Sequence, residues 1–245
     1  MTRTAVVTGG AKRIGRAIAA ELHARGYDIA VHYCASNEAA AEFAERLNAT
    51  RANSCTLFQG DLAQASGAAA LAARVSAQHP AIDLLVNNAS GFEPTPIEDC
   101  TEAEFDAMLA SNLKGPYFLI QGMLPALRAA QGAIVNILDV HIDRPLRDFN
   151  AYGAAKAGLA SLTRSLAVEL GPDVRVNGVS PGAILWPEDD ASYDAATRAH
   201  TVAATPLGRL GDPTDVARAV AYLADDAPFV TGQVISIDGG RSLTG

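Results

Sequence analysis

Short apolar runs alternate with amphipathic stretches along the whole chain. Val6-Val7, before Gly9-Gly10, reads as a short buried strand, and Ile14, Ile18 and Leu22 then recur at helical spacing until Gly26 stops them. Tyr27–Tyr33 (YDIAVHY) predicts a second strand and Glu38–Leu47 an Ala-rich amphipathic helix. The pattern continues with a strand near Ser54–Phe58, a helix near Leu71–Ala77, a strand at Ile82–Val86 and helices within Glu102–Leu127. Ala133–Leu138 (AIVNIL) is a strand, Ala154–Leu170 a helix, Val174–Val179 a strand, Asp215–Ala224 a helix and Gln233–Ile237 the last strand. Strands that are apolar throughout, alternating with amphipathic helices, predict a mostly parallel seven-stranded sheet covered by helices on both faces.

No Pro/Gly/Ser-rich linker, composition break or internal repeat divides the pattern, so it predicts one doubly wound α/β domain over 1–245. The one irregular stretch is 184–206, acidic at Glu188-Asp189-Asp190 and following the sixth strand. An insertion at a strand's carboxyl end is a candidate lid over a ligand crevice.

Composition narrows the classes. The chain has 245 residues, 49% of them hydrophobic, and 19 Lys+Arg against 27 Asp+Glu give a net charge of −8. That balance argues against a broad nucleic-acid surface. No apolar run approaches the roughly 18–20 residues of a membrane span. The apolar stretch after Thr4 is too short for a signal peptide. Cys34, Cys55 and Cys100 make neither a disulfide framework nor a CxxC pair, as expected of thiols in a reducing compartment. A cytoplasmic protein is expected, without membrane or nucleic-acid partners.

Thr8-Gly9-Gly10-Ala11-Lys12-Arg13-Ile14-Gly15 joins the first strand to the first helix. Glycines there let backbone N–H groups approach a pyrophosphate at the helix N-terminus, the arrangement of a Rossmann dinucleotide site. A glycine turn can also serve connectivity alone; its place between a predicted strand and a predicted helix favours the functional reading. NAD-binding units place an acid near the end of the second strand. Here His32-Tyr33-Cys34-Ala35-Ser36-Asn37 holds none, while Lys12 and Arg13 bring positive charge to the turn, so NADPH is the expected cofactor.

Tyr152 and Lys156 are four apart at the start of a helix, hence one turn apart on one face. An ammonium near a phenol favours the phenolate, so Lys156 is expected to lower the tyrosine's pKa and make it a general acid or base. Asp139-x-His141-x-Asp143 has strand-like spacing for metal ligands, but three such residues after a strand more often mark a solvated loop, and no metal is expected.

Thr8-Gly9…Gly15, Asp61-Leu62, Asn87-Asn88-Ala89, Asn112, Tyr152-x-x-x-Lys156, Pro181-Gly182 and Asp238-Gly239-Gly240 together resemble the short-chain dehydrogenase/reductase family over nearly the whole chain. The resemblance implies that Tyr152 moves a proton, Lys156 tunes it and holds the nicotinamide ribose, and Asn112 maintains the proton path. It places Gly9, Ile14, Asn88, Ala89, Pro181 and Gly182 at the cofactor, and Asp61 and Leu62 at its adenine. A homotetramer is expected on the same ground.

Two positions depart from the family pattern. Asp139 occupies the place of the usual serine 13 residues before the tyrosine, and Arg13 replaces a glycine of the phosphate turn. A carboxylate would repel the negative charge that develops on a ketone oxygen. It suits a substrate presenting N–H groups, or one needing a proton at a ring nitrogen. With Asn88-Ala89-Ser90-Gly91-Phe92-Glu93-Pro94-Thr95-Pro96, these residues resemble pteridine reductases. That resemblance implies that Phe92 stacks on a pterin, that Ser90 and Arg13 touch both cofactor phosphate and pterin, and that His32, Tyr33 and Ser36 lie near the adenosine 2′-phosphate. Ala35 stands where that group has a basic residue. Trp186, in the candidate lid, is a candidate substrate contact, and His141 could border the substrate.

The leading expectation is an NADPH-dependent pteridine reductase acting on a dihydropterin or dihydrofolate. The alternatives are a dihydromonapterin reductase, a carbonyl or 3-oxoacyl reductase of the same fold, and a noncatalytic NADPH-binding sensor.

Overall fold

The computed structural model describes residues 2–186 and 194–244. Its strands are β1 (Arg3–Val7), β2 (Tyr27–Tyr33), β3 (Cys55–Gln59), β4 (Leu84–Asn87), β5 (Ala133–Ile137), β6 (Arg175–Pro181) and β7 (Val234–Ile237). They form one sheet in the order β3-β2-β1-β4-β5-β6-β7, and all six pairings are parallel, so the expected "mostly parallel" sheet is wholly so.

Period-2 alternation within each strand sorts the core into two layers. Ala5, Val7, Leu84 and Val86 point to the face covered by α1 (Arg13–Ala24), α2 (Asn37–Thr50) and α8 (Pro213–Ala221), where they meet Ile18, Leu22, Phe43 and Val220. Val6, Leu85 and Ile134 point to the face covered by α3 (Ala65–Gln78), α5 (Gly115–Ala130) and α6 (Asn150–Leu170), where they meet Leu71, Leu119, Met123 and Leu127. Burial on both faces explains why these strands read as unbroken apolar runs.

Two π-helical turns among the described residues are ones that apolar spacing does not reveal. One, Ala110–Lys114, joins α4 (Glu102–Leu109) to α5; the other, Tyr222–Asp226, follows α8. The candidate lid begins with Ile184 buried and Leu185 exposed, and its last part holds α7 (Ala195–Ala203) and the residues up to Pro206. Its acidic triplet Glu188-Asp189-Asp190 lies outside the described residues. No helix among the described residues is long and apolar enough to cross a membrane.

The strand order reverses between β1 and β4, and chains leaving such strands in opposite directions open a crevice at their carboxyl ends. That crevice has a volume of about 930 Å³ and is walled by the ends of β1, β4, β5 and β6.

Candidate active site

The phosphate turn forms the floor of the crevice at the β1–α1 junction. Gly9 has φ +60°, a conformation open to glycine at no steric cost. A Cβ on Gly15 would lie 2.2 Å from the Gly9 carbonyl oxygen and 2.6 Å from Asn88 Nδ2, so the first turn of α1 can pack this close only with a glycine at that position. Asn88 Nδ2 donates to the carbonyls of Thr8 at 2.8 Å and Gly9 at 3.2 Å, while the N–H groups of Asn88 and Ala89 donate to Thr8 Oγ1, each at 2.9 Å. These bonds weld the segment after β4 onto the turn.

The Lys12 side chain makes no capping bond to the first turn of α1, whose residues Arg13, Ile14 and Gly15 line the crevice. Uncapped N–H groups at a helix start offer an anion site, and this one fits the diphosphate of a dinucleotide. Pro181 and Gly182 form part of the opposite wall. A Cβ on Gly182 would come within 2.7 Å of Asp238 Cβ.

His32, Tyr33, Ser36, Asp61 and Leu62 lie outside the crevice wall, at and just beyond the carboxyl ends of β2 and β3. Tyr33 and Ser36 are half-buried and Asp61 exposed. His32, expected near a 2′-phosphate, is 2% exposed. Its ring bridges backbone groups, so its partners are the two flanking turns.

The chemistry-bearing side chains gather where β5 meets α6. Asp139 follows β5, and Tyr152 lies in the first turn of α6. The Tyr152 hydroxyl donates to Asp139 Oδ2 at 2.7 Å, while the His141 N–H donates to Asp139 Oδ1 at 2.8 Å. The Asp139 side chain is 21% exposed, so the carboxylate has one side toward the crevice. Lys156, buried, donates from Nζ to the Ile137 carbonyl at 2.9 Å and sits 5.7 Å from the Tyr152 ring centre.

This geometry reverses the expected tuning. Burial and then the Asp139 carboxylate, which touches the phenol oxygen, raise the Tyr152 pKa well above 10. Burial lowers the Lys156 pKa to about 8, with Asp139 pulling the other way. The lysine was expected to favour the phenolate. Here the nearer carboxylate favours the phenol, leaving Tyr152 with its proton.

Asn112 occupies the π-helical turn and is fully buried. Its Nδ2 donates to the carbonyls of Gly91 at 3.0 Å and Met108 at 3.1 Å, and its Oδ1 accepts from Ser90 Oγ at 2.6 Å. Its amide thus fixes the Ser90-Gly91 segment at the crevice wall. Phe92, further along that segment, stacks on Phe149 with ring centres 4.3 Å apart and meets Tyr152 edge-on at 4.9 Å.

Phe149 escaped the sequence reading, although it lies three residues before Tyr152 and one helical turn would bring the two together. Leu185, Thr201 and Arg241 also line the crevice and were missed. Arg241 lies far along the chain, in a segment that Arg144 fastens through the Arg241 and Thr244 carbonyls.

Arg13 and Trp186 meet. The Arg13 guanidinium donates twice to the Trp186 carbonyl, each at 3.2 Å, while Arg198 lies over the Trp186 ring at 5.5 Å. Arg13 itself has φ +51°, the left-handed conformation that an L side chain disfavours.

A protein-family profile described as Enoyl-(Acyl carrier protein) reductase matches residues 9–242. The 3-oxoacyl-[acyl-carrier-protein] reductase FabG of Staphylococcus aureus is 38% identical over 248 aligned positions, covering 99% of each chain. Pteridine reductase 1 of Leishmania tarentolae is 35% identical, covering 98% of this chain and 96% of its own. An uncharacterized oxidoreductase of Mycobacterium tuberculosis is 35% identical, covering 98% and 92%. With a parallel seven-stranded sheet, a glycine turn at its switch point and a Tyr–Lys pair at its crevice, the chain belongs to the short-chain dehydrogenase/reductase family of oxidoreductases, which use nicotinamide cofactors.

Proposed function

We propose that the protein is an NADPH-dependent pteridine reductase acting on the ring of a dihydropterin or dihydrofolate. The observation that carries this reading is Asp139, in the serine's place, accepting the Tyr152 hydroxyl at 2.7 Å. Overall identity does not discriminate, since the FabG relative at 38% and the pteridine reductase at 35% are nearly equally similar. Local chemistry does. A β-keto thioester builds negative charge on its oxygen during reduction, and a carboxylate there opposes it. A pterin ring presents N–H donors and nitrogens that must gain a proton, and an acidic pair can serve both.

A bound nicotinamide would supply the hydride to an electron-poor C=N carbon. Tyr152 holds the proton at its Oη, and the adjacent ring nitrogen takes it from there. Asp139, one side of which faces the crevice, relays a replacement proton to the phenol from solvent. Phe92, backed by Phe149, presents an aromatic wall of the right size for a flat bicyclic ring. Arg13, in the phosphate turn, and Ser90, two residues before Phe92, both line the crevice. The absence of an acid after β2, with Tyr33 and Ser36 half-buried there, supports NADPH over NADH.

The test is NADPH oxidation with dihydrobiopterin, dihydrofolate, dihydromonapterin and a β-keto thioester. Turnover of the pterins and not the thioester is expected; a rate confined to the thioester would overturn the reading and favour the 3-oxoacyl reductase alternative. Selective turnover of dihydromonapterin would favour the dihydromonapterin reductase. NADPH binding without turnover of any substrate would favour the noncatalytic sensor. The homotetramer expected by resemblance is tested by light scattering on the eluted protein.

A further inference from the structure

His32 is a buried titratable group that the proposed chemistry does not use, and its hydrogen bonds run to both halves of the dinucleotide-binding edge. Its Nδ1 accepts the Gly9 N–H at 3.3 Å, and its own carbonyl accepts the Gly10 N–H at 3.0 Å. One residue thus holds both amides of the glycine pair. On the other side of the ring, Nε2 lies 3.1 Å from the Gly60 carbonyl, and the Gly60 N–H in turn donates to Tyr33 O at 3.0 Å. Gly60 precedes Asp61 and Leu62, the residues expected at the adenine.

These contacts assign the tautomer. Nδ1 can accept from Gly9 only without a proton, so the neutral ring carries its hydrogen on Nε2 and donates to Gly60. The alternative tautomer would set two N–H groups against each other at Gly9 and leave the Gly60 carbonyl without its donor. Burial lowers the pKa of His32, which favours the neutral ring. Gly9 needs an anchor, because its left-handed φ of +60° is one of several conformations a glycine visits freely.

We propose that His32 is a positioning residue for the cofactor: its Nε2–H tautomer locks Gly9 in the conformation that opens the phosphate turn and ties that turn to the Gly60–Leu62 segment. The proposal rests on reading the crevice as a dinucleotide site. It predicts a specific asymmetry between two substitutions. His32→Asn places an amide oxygen close to the position of Nδ1 and keeps an acceptor for Gly9. His32→Gln reaches toward Gly60 and takes from the half-buried Gly9 N–H its acceptor.

The experiment measures NADPH binding by nicotinamide fluorescence, the thermal shift induced by NADPH, and kcat at saturating cofactor. For His32→Gln, a rise in Kd of roughly 10-fold is expected, the effect of losing the one bond that fixes the half-buried Gly9 amide. Its kcat at saturation should stay within about twofold of wild type, and His32→Asn should recover most of the affinity. Equal losses in the two variants, or losses of kcat and stability without loss of affinity, would overturn the proposal. On the wild-type protein, imidazole nitrogen shifts should show a protonated Nε2 and a bare Nδ1; the opposite tautomer would overturn it without any substitution. A wild-type protein that binds neither NADPH nor NADH would instead overturn the dinucleotide reading on which the proposal rests.

Discussion

Asp139 Oδ2 accepts the Tyr152 hydroxyl at 2.7 Å, and this one bond sets the electrostatics of the proposed active site. It ties the end of β5 to the first turn of α6 and, after burial, adds to what keeps the phenol protonated. Lys156, only one turn further along α6, bonds instead to the backbone of Ile137. The proton donor, its carboxylate partner and the cation are therefore in place in the protein alone.

Asp139→Ser should test the substrate class directly. It removes the carboxylate from Tyr152 and restores the family's usual residue. Pterin reduction is expected to fall by about 10²-fold or more, the range of a lost acid–base partner. NADPH affinity should hold, because Asp139 makes no bond to the phosphate turn. Any gain of activity toward a β-keto thioester would support the view that this side chain decides between the two chemistries. Steady-state kinetics with both substrates, alongside NADPH titration, measure it; equal loss of pterin rate and NADPH affinity would contradict a proton-transfer role.

Lys156 predicts a pH dependence of stability. Its folded pKa of about 8 lies below the ordinary 10.5, because burial disfavours the ammonium. Between those values the unfolded chain binds more protons than the folded one, so this lysine makes stability rise with pH from about 8 toward 10.5. Below pH 8 the burial cost is constant, on the order of 3 kcal/mol. Lys156→Met should therefore flatten the stability profile between pH 8 and 10, compared by urea unfolding without cofactor. The raised Tyr152 pKa acts in the opposite sense only above its ordinary value of 10. A wild-type profile no steeper than that of Lys156→Met would contradict this assignment.

The fold was legible because the strands are buried on both faces, which writes them as apolar runs with glycines or helical spacing between them. Val6-Val7 and YDIAVHY needed no alignment to read. The π-helical turn at Asn112 was not legible, since a one-position shift of the apolar phase between two helices reads the same as an ordinary irregularity in the pattern. The Tyr152–Lys156 pair was legible as a juxtaposition, but its electrostatics were not. Spacing says that two side chains share a face; it does not say that Lys156 bonds to a carbonyl while a carboxylate 13 positions upstream takes the phenol. The backbone partners of the His32 ring were not legible either, because a position at a strand end does not reveal what a buried ring bonds to.

Phe149 should contribute to ring binding through Phe92. The two rings stack at 4.3 Å with planes 17° apart, which fixes the orientation of Phe92 beside Tyr152. Phe149→Leu keeps an apolar side chain and removes the stack, worth about 0.5–1.5 kcal/mol for an aromatic pair. The KM for a dihydropterin is expected to rise about 3- to 10-fold, with little change in the KM for NADPH. A parallel change in both constants would show general damage to the crevice.

Arg13→Gly should separate stability from function. The residue has φ +51°, where an L side chain costs roughly 1–2 kcal/mol relative to the right-handed region and glycine does not. Glycine also brings more freedom to the unfolded chain, which returns part of that gain. The guanidinium reaches across to the Trp186 carbonyl with two bonds of 3.2 Å, linking the phosphate turn to the start of the lid segment. These bonds are exposed and contribute little to folding, but they hold a cation at the mouth of the crevice. The expected outcome is a melting temperature equal to or above that of wild type, together with weaker binding of both NADPH and pterin. Arg13→Ala completes the comparison, since it loses the cation and retains the backbone strain. It should bind as poorly as Arg13→Gly and melt lower, and a glycine variant that melts below the alanine one would refute the strain argument.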